Sequence, residues 1–363
     1  MVKSISLEQF TNFKNQTTFD FCQGVNVFIG ANGAGKTHLL KVIFALLKAE
    51  ENTKTDRTGT KEERIANRLM DCFLPDENQL SRLVSRSQGK QTCTIRIETD
   101  KFTETVSFVR GAAKGKNEIE PIGERREHRN AVATKAIFLP SREIISIFEG
   151  FLALYNRRET SFDATYYYLA ESLNISKPKG ANTLEVKILR KIIDDFFDKK
   201  TQISKEGERF YLKSNQGTME MTLVSEGMRK IATLLYLIDN AELSANSVLL
   251  WDEPEANLNP KLTQLIAELL LVLASQGVQI FVATHDYLLT HHLSHFAEYS
   301  DIYKKERKMK KMPEFRFFSL QKTETELVTE TADTISGLQN NLILEEFALF
   351  YDLEQQYFNK SIA

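Results

Sequence analysis

Three kinds of hydrophobic pattern divide this chain. Over residues 2–30 the apolar positions predict strands. Val2, Ile5 and Leu7 recur, Phe19 and Phe21 alternate with polar neighbours, and Val25-Asn26-Val27-Phe28-Ile29 is an apolar run. The β-rich stretches 91–97 and 102–109 are separated by Glu98 to Lys101 and predict a hairpin. Ala136 to Leu139 reads as a buried strand ending at Pro140. From 143 to 203 the spacing changes to three and four residues, in Ile144, Ile147, Phe148, Phe151 and Leu154 and again in Leu184, Ile188, Ile192 and Phe196. That predicts a compact helical block, without sustained heptads. From Ser225 the order is helix (Gly227 to Ile238), strand (Val248 to Trp251), helix (Lys261 to Ala274) and strand (Val278 to Ala283). Such alternation predicts a parallel sheet with helices packed on it. A strand-like Glu314 to Leu320 and an acidic helix, Leu342 to Phe358, complete the pattern. Residues 50–68 read as a solvated loop entering a polar helix, and 111–130 as a charged mobile loop or an insertion tip.

Composition narrows this picture only at its edges. The 363 residues suffice for two average domains or one large domain with an insertion. A net charge of −2 provides no whole-protein field toward nucleic acid or membrane, so any such contact must come from local patches. Cys22, Cys72 and Cys93 lack paired spacing, which suggests neither zinc nor disulfides and fits a reducing cytoplasm. The N-terminus does not read as a signal peptide, and no apolar run approaches the ~18 residues of a membrane span.

The chemistry lies at strand ends. Gly30-Ala31-Asn32-Gly33-Ala34-Gly35-Lys36-Thr37 fits G-x-x-x-x-G-K-[ST], between a predicted strand and a helix-like stretch beginning at His38. Curling glycines and a helix N-terminus aim backbone N–H groups at phosphates. Lys36 should reach the β- and γ-phosphates, the Thr37 hydroxyl should bind Mg²⁺, and the run through His38 forms the candidate nucleotide-binding segment. Val248 to Trp251 followed by Asp252-Glu253 describes a buried strand presenting two carboxylates. Asp252 is the candidate Mg²⁺ partner and Glu253 the candidate general base for the attacking water. His285 follows the next strand and could donate to the γ-phosphate. His291 and His295 stand four apart, but no further ligand completes a zinc site. Ser225-Glu226-Gly227 opens an apolar helix. Ser225 reads first as its cap, and the same helix N-terminus could bind the γ-phosphate of a second copy.

This order of motifs resembles the ABC-type ATPases, and specifically the branch that includes SMC, RecF and OLD-type proteins among the AAA-labelled ATPases of bacterial defence and repair. Asn12-Phe13-Lys14 ahead of the glycine loop, the block SEGMRK and the run DEPEANLNP are similar to that branch. The resemblance implies an α/β P-loop NTPase of ABC-head type: a mixed sheet, an N-terminal antiparallel portion and an inserted helical subdomain. It divides the chain into an ATPase lobe (1–140), a helical lid (141–224) and a second ATPase lobe (225–363). It implies ATP and Mg²⁺ sandwiched between head-to-tail protomers, with Lys36, Glu253 and His285 catalytic. Ser225, Glu226 and Gly227 would serve the partner's nucleotide, and Ala256 to Asn259 would form the D-loop at the interface. Glu226 and Met228 flank Gly227 where the family has glycine and a polar residue. Asn259 replaces an aspartate, and Ser141 stands at the usual Q-loop glutamine. These departures imply slow hydrolysis.

Two readings of the work done by ATP stay open. In one the dimer clamps DNA or RNA through basic runs at Lys304 to Lys311 and Arg125 to Arg129. In the other it regulates a separate effector such as a nuclease or toxin, docked on the last helix through Leu342, Ile343, Phe347 and Phe350. Anti-phage defence or DNA maintenance is the expected setting. A membrane-transporter subunit is the alternative, against the reading of a cytoplasmic protein without membrane contact. No nuclease domain is expected, since only ~75 residues follow His285 and they lack clustered carboxylates.

Overall fold

The computed structural model describes residues 1–51, 59–86, 91–110, 118–122, 126–127, 134–175, 186–197, 201–215, 217–323 and 326–362. Much of the loops expected over 50–68 and 111–130, together with Leu184, Arg125, His128, Arg129 and the side chains of Leu342 and Ile343, lies outside them.

Along the chain, β1 (Val2–Glu8), β2 (Thr17–Asp20) and β3 (Val25–Gly30) lead into α1 (Lys36–Glu50) and α2 (Lys61–Phe73). Then come β4 (Thr92–Thr99), β5 (Phe102–Val109), the two-residue β6 (Glu120–Pro121) and β7 (Arg126–Glu127), and β8 (Ala136–Leu139). Next are α3 (Phe151–Asn156), α4 (Ala164–Asn174), α5 (Val186–Phe197), β9 (Thr201–Glu206), β10 (Arg209–Ser214) and β11 (Gly217–Glu220). The last part holds α6 (Glu226–Asp239), β12 (Val248–Asp252), α7 (Pro260–Ser275), β13 (Gln279–Thr284), α8 (Tyr287–Glu298), α9 (Ser300–Glu306), β14 (Phe315–Lys322), β15 (Leu327–Ala332) and α10 (Leu342–Ile362).

Two sheets sandwich α1. The first is antiparallel, ordered β2-β1-β4-β5-β6 with β7 also on β5. The second runs β15-β14-β3-β13-β12-β8, parallel except for β15. β3, β12 and β13 are buried along their whole length, as strands covered on both faces must be. α1 is apolar nearly all round because it is enclosed. Between the sheets Phe28 stacks on Phe281 and Phe318, with Phe19 and Phe21 edge-on to it. Two buried amides seal this junction. Gln279 accepts from Val2 N–H at 2.8 Å and donates to the Val2 and Cys22 carbonyls at 2.7 and 2.9 Å. Asn26 accepts from Cys22 N–H and donates to the carbonyls of Cys22 and Ile280.

The interval after β8 departs from the expected helical block in two ways. It closes with a three-stranded antiparallel meander, β11-β10-β9, whose charged outer positions hide the strand alternation, while Ile203 and Phe210 face the core. In α5 the buried line passes through Leu189 and Ile193, leaving Ile188 exposed, one residue off the expected register. No helix among the described residues is long and apolar enough to cross a membrane.

Candidate nucleotide site

The glycine loop hangs between β3 and α1. Gly33 and Gly35 take φ values of 78° and 101°, in left-handed territory that other residues avoid. Asn12 braces the loop by donating to the Gly33 carbonyl at 2.6 Å. Ala31, Asn32 and Gly33 are exposed, whereas Ala34 and Lys36 are buried. The Lys36 ammonium donates to the Gly30 and Ala31 carbonyls at 2.6 and 3.1 Å, at the mouth of the loop. Burial pushes its pKa down, and Glu253, Asp252 and Glu255 oppose that. His38 turns toward α2. Its ring lies 5.5 Å from that of Phe73, and its Nδ1 is buried without a partner. Burial and Lys41 lower its pKa.

β12 brings its carboxylates to the same edge. The Thr37 hydroxyl meets both oxygens of Asp252, at 2.9 and 3.0 Å, although 215 residues separate them. Burial pushes the Asp252 carboxyl up to about 6, against the pull of Thr37's hydrogen bond. A hydroxyl beside a carboxylate is a hard oxygen pair of the kind Mg²⁺ prefers, so the residues present fit that ion. Glu253 adopts φ 47°, an unusual conformation for a side-chain-bearing residue and of the sort that gathers at working sites. Its N–H is fixed on the Ala283 carbonyl at 2.8 Å, and its Oε1 stands 3.5 Å from Nδ1 of His285. The motifs at 36–37, 252–253 and 285 therefore converge on one sheet edge.

Ser225, Glu226 and Gly227 make no hydrogen bond or ion pair with residues 30–38 among the described residues. Ser225 holds the N-cap position of α6 but makes no capping hydrogen bond, contrary to its first reading as a cap. The residue is exposed. Glu226 accepts from the Asn257 amide at 2.9 Å. A Cβ on Gly227 would come within 2.9 Å of the tips of Leu258 and Leu262, which shows how closely the turn after β12 lies on α6. Asn259 caps α7 by accepting from Leu262 N–H at 3.0 Å, so its amide has a structural task. His291 and His295 are engaged too, through Nδ1 to the Tyr287 carbonyl and to the Tyr303 hydroxyl. No group of three or more metal-binding side chains occurs among the described residues.

Sequence reasoning missed three groups. Glu255 is buried. It accepts from the Thr284 hydroxyl at 2.6 Å and from His285 N–H at 3.3 Å, and its second oxygen has no partner. Burial raises its pKa, opposed chiefly by the Thr284 bond. Lys230, also buried, donates to the carbonyls of Glu253 and Ala256 at 3.2 and 2.8 Å. Glu143 pairs with Arg229 at 2.6 Å, joining the segment after β8 to α6. Glu255 thus holds His285, and Lys230 and Glu226 tie α6 to the turn at 253–257. The signal available in sequence was slight: a third carboxylate in DEPE, and a lysine four residues after Glu226.

The family pattern described as "AAA domain, putative AbiEii toxin, Type IV TA system" matches residues 99–290, more than half of the chain. The chain belongs to this AAA-domain family. A second pattern, "AAA ATPase domain", matches residues 1–146 of this AAA protein. Curated relatives include the DNA replication and repair protein RecF of Streptococcus suis, 33% identical over 100 residues, which make up 28% of this chain and 24% of that protein. RecF of Streptococcus equi subsp. zooepidemicus is 21% identical over 342 residues, covering 78% of this chain and 91% of the relative. The structural maintenance of chromosomes protein 3 homolog of Plasmodium falciparum is 44% identical over 77 residues, 20% of this chain and 6% of its own length. Thus the first of these RecF relatives is matched over about a quarter of its length. Among solved structures, an Smc head bound to the C-winged helix domain of ScpA superposes with a TM-score of 0.54 at 11% identity, over 93% of this chain and 99% of that one. An Smc head from Pyrococcus furiosus bound to the C-terminal domain of ScpA gives 0.50 at 10%, over 97% and 99%. At such identities these likenesses establish the fold alone, an ABC-type ATPase head.

Proposed function

We propose that the chain binds ATP and hydrolyses it to ADP and phosphate within a head-to-tail dimer. The observation that carries this reading is the meeting of Thr37 with Asp252, beside Glu253 and His285. Gly30 to His38 would cradle the phosphates. Lys36 would exchange its two loop carbonyls for β- and γ-phosphate oxygens. Thr37 and Asp252 would hold Mg²⁺, which when bound supplies positive charge against the phosphates. Glu253 takes a proton from the attacking water, and His285 donates to the γ-phosphate. Ser225 and the N-terminus of α6 form no hydrogen bond or ion pair with the glycine loop of their own chain among the described residues. They would close on the nucleotide of the second copy, with Glu226 and Gly227 shaping that surface.

The closed dimer would act in DNA maintenance or defence, on nucleic acid or a separate effector protein. The RecF relatives support nucleic acid by their name, and the exposed run from Lys304 to Lys311 adds local positive charge. A separate protein partner is supported by the Smc head that is bound to a domain of ScpA.

Glu253→Gln should keep ATP binding, slow turnover by ~10²–10⁴ and accumulate a dimer with ATP and Mg²⁺. Light scattering and a phosphate-release assay read both effects. Unchanged turnover would remove Glu253 from its role, and a monomer at saturating ATP would remove the sandwich.

A further inference from the structure

The most conspicuous surface unused by the nucleotide site is α10. Phe347, Leu349, Phe350, Tyr351 and Tyr357 are each between 53% and 63% exposed. At 100° per residue Leu349, Phe350, Leu353 and Tyr357 fall on one side of the helix, and Phe347 and Tyr351 widen that side past a half-turn. Covering these side chains and Leu344 would remove on the order of 800 Å² from water, the share each partner gives to a stable interface. Glu345, Glu346, Asp352 and Glu354 make the same helix acidic, against Lys360 alone. Near its start Phe347 rests on Tyr287, at 4.4 Å between ring centres, at the beginning of α8.

The opposite surface exists on the same chain. At the far end of α8, about 18 Å on by helical rise, Tyr299 and Ile302 are exposed beside Lys304, Lys305, Lys308 and Lys311. None of these four lysines forms an ion pair with a described carboxylate. One chain thus carries an acidic apolar rod and a basic apolar patch, each complementary to the other and each open. Two copies related by a two-fold axis satisfy both at once, since each lends its rod and receives its partner's.

We infer that α10 docks on the α9 patch of a second copy, in a reciprocal exchange independent of ATP. The occupant is a second copy of this chain. A basic groove on another protein would suit the rod but leave the chain's own lysine patch uncovered.

The test is sedimentation velocity of the full chain without nucleotide, on material freed of nucleic acid, which would compete for the same lysines. The expected result is a reversible dimer with a Kd on the order of 10 µM, weakened at high salt. Phe350→Glu with Tyr357→Glu, both on the open face, should raise that Kd at least ~100-fold with the far-ultraviolet circular dichroism unchanged. Two charge-reversed chains complete the test. One carries Glu345→Lys, Asp352→Lys and Glu354→Lys; the other carries Lys304→Glu, Lys305→Glu and Lys308→Glu. Each alone should be monomeric, because its rod and patch then share a sign. Mixed, they should form a heterodimer, because both contacts are complementary again. A wild-type monomer across the concentration range, a dimer that survives the Phe350/Tyr357 pair, or no heterodimer from the mixture would each overturn the inference. Because ATP is absent throughout, such a failure leaves the sandwich dimer untouched, and failure of the sandwich leaves this contact untouched.

Discussion

At the proposed Mg²⁺ site a proton would compete with the metal for Asp252. An unfolded aspartate titrates near 3.9, whereas burial holds the folded carboxyl at about 6. Between those values the folded chain keeps a proton that the unfolded chain has released. Protonation therefore favours the fold, and that contribution fades as pH rises through about 6. Mg²⁺ needs the carboxylate, so its affinity should drop as pH falls from 7 to 5, by up to ~10-fold per unit below 6. Trp251, buried next to Asp252, offers a fluorescence readout for such a titration. An affinity that stays flat over this range would exclude Asp252 as a ligand. Thr37 and Asp252 were legible in the sequence because each belongs to a motif with fixed spacing. Glu255 and Lys230 were not, because tertiary packing alone decides that a carboxylate and an ammonium in such positions are buried. Ser225 was only half legible, since sequence identifies an N-terminal residue but not whether its hydroxyl turns back to the helix.

Among the elements, the junction of the two sheets rests on few contacts of high value. Gln279 serves three backbone groups of the N-terminal segment from the first residue of β13. Gln279→Leu keeps the volume roughly and removes the side-chain partner of the Val2 N–H and carbonyl in the core, while the Cys22 carbonyl keeps the Asn26 amide. The expected loss is about 2–4 kcal/mol, since each of the two buried orphans costs about 1–3 kcal/mol and some relaxation follows. Thermal unfolding followed by circular dichroism checks it, and a loss below about 1 kcal/mol would mean the sheets are held by the phenylalanine cluster alone. The parallel strands could be read from sequence because burial on both faces writes continuous apolar runs. The meander of β9 to β11 could not: only one side of it is covered, and its charged residues mask the alternation. Nor does any local pattern reveal that β14 lies parallel beside β3, since register between distant strands is set by their packing.

At the scale of the whole molecule the proposed site is shared between copies, and mixing tests that. Lys36→Ala abolishes the phosphate cradle but leaves Ser225 intact, and Ser225→Arg does the reverse. Each variant alone should be inactive. Mixed in equal amounts, half of the dimers combine the two, and each of these has one intact site, so about a quarter of wild-type ATPase activity should return. No recovery would place both halves of the site in a single chain. The topology has one more consequence, for biogenesis. β3 lies between β13 and β14, so the strand that carries the glycine loop gains both neighbours only from residues 279–284 and 315–322. A ribosome that has made the first two hundred residues has made the loop but nothing that can flank it. β3 must wait with two open edges until residues 279–284 emerge and with one until the last sixth of the chain does, which calls for slow, late closure and invites chaperone attention.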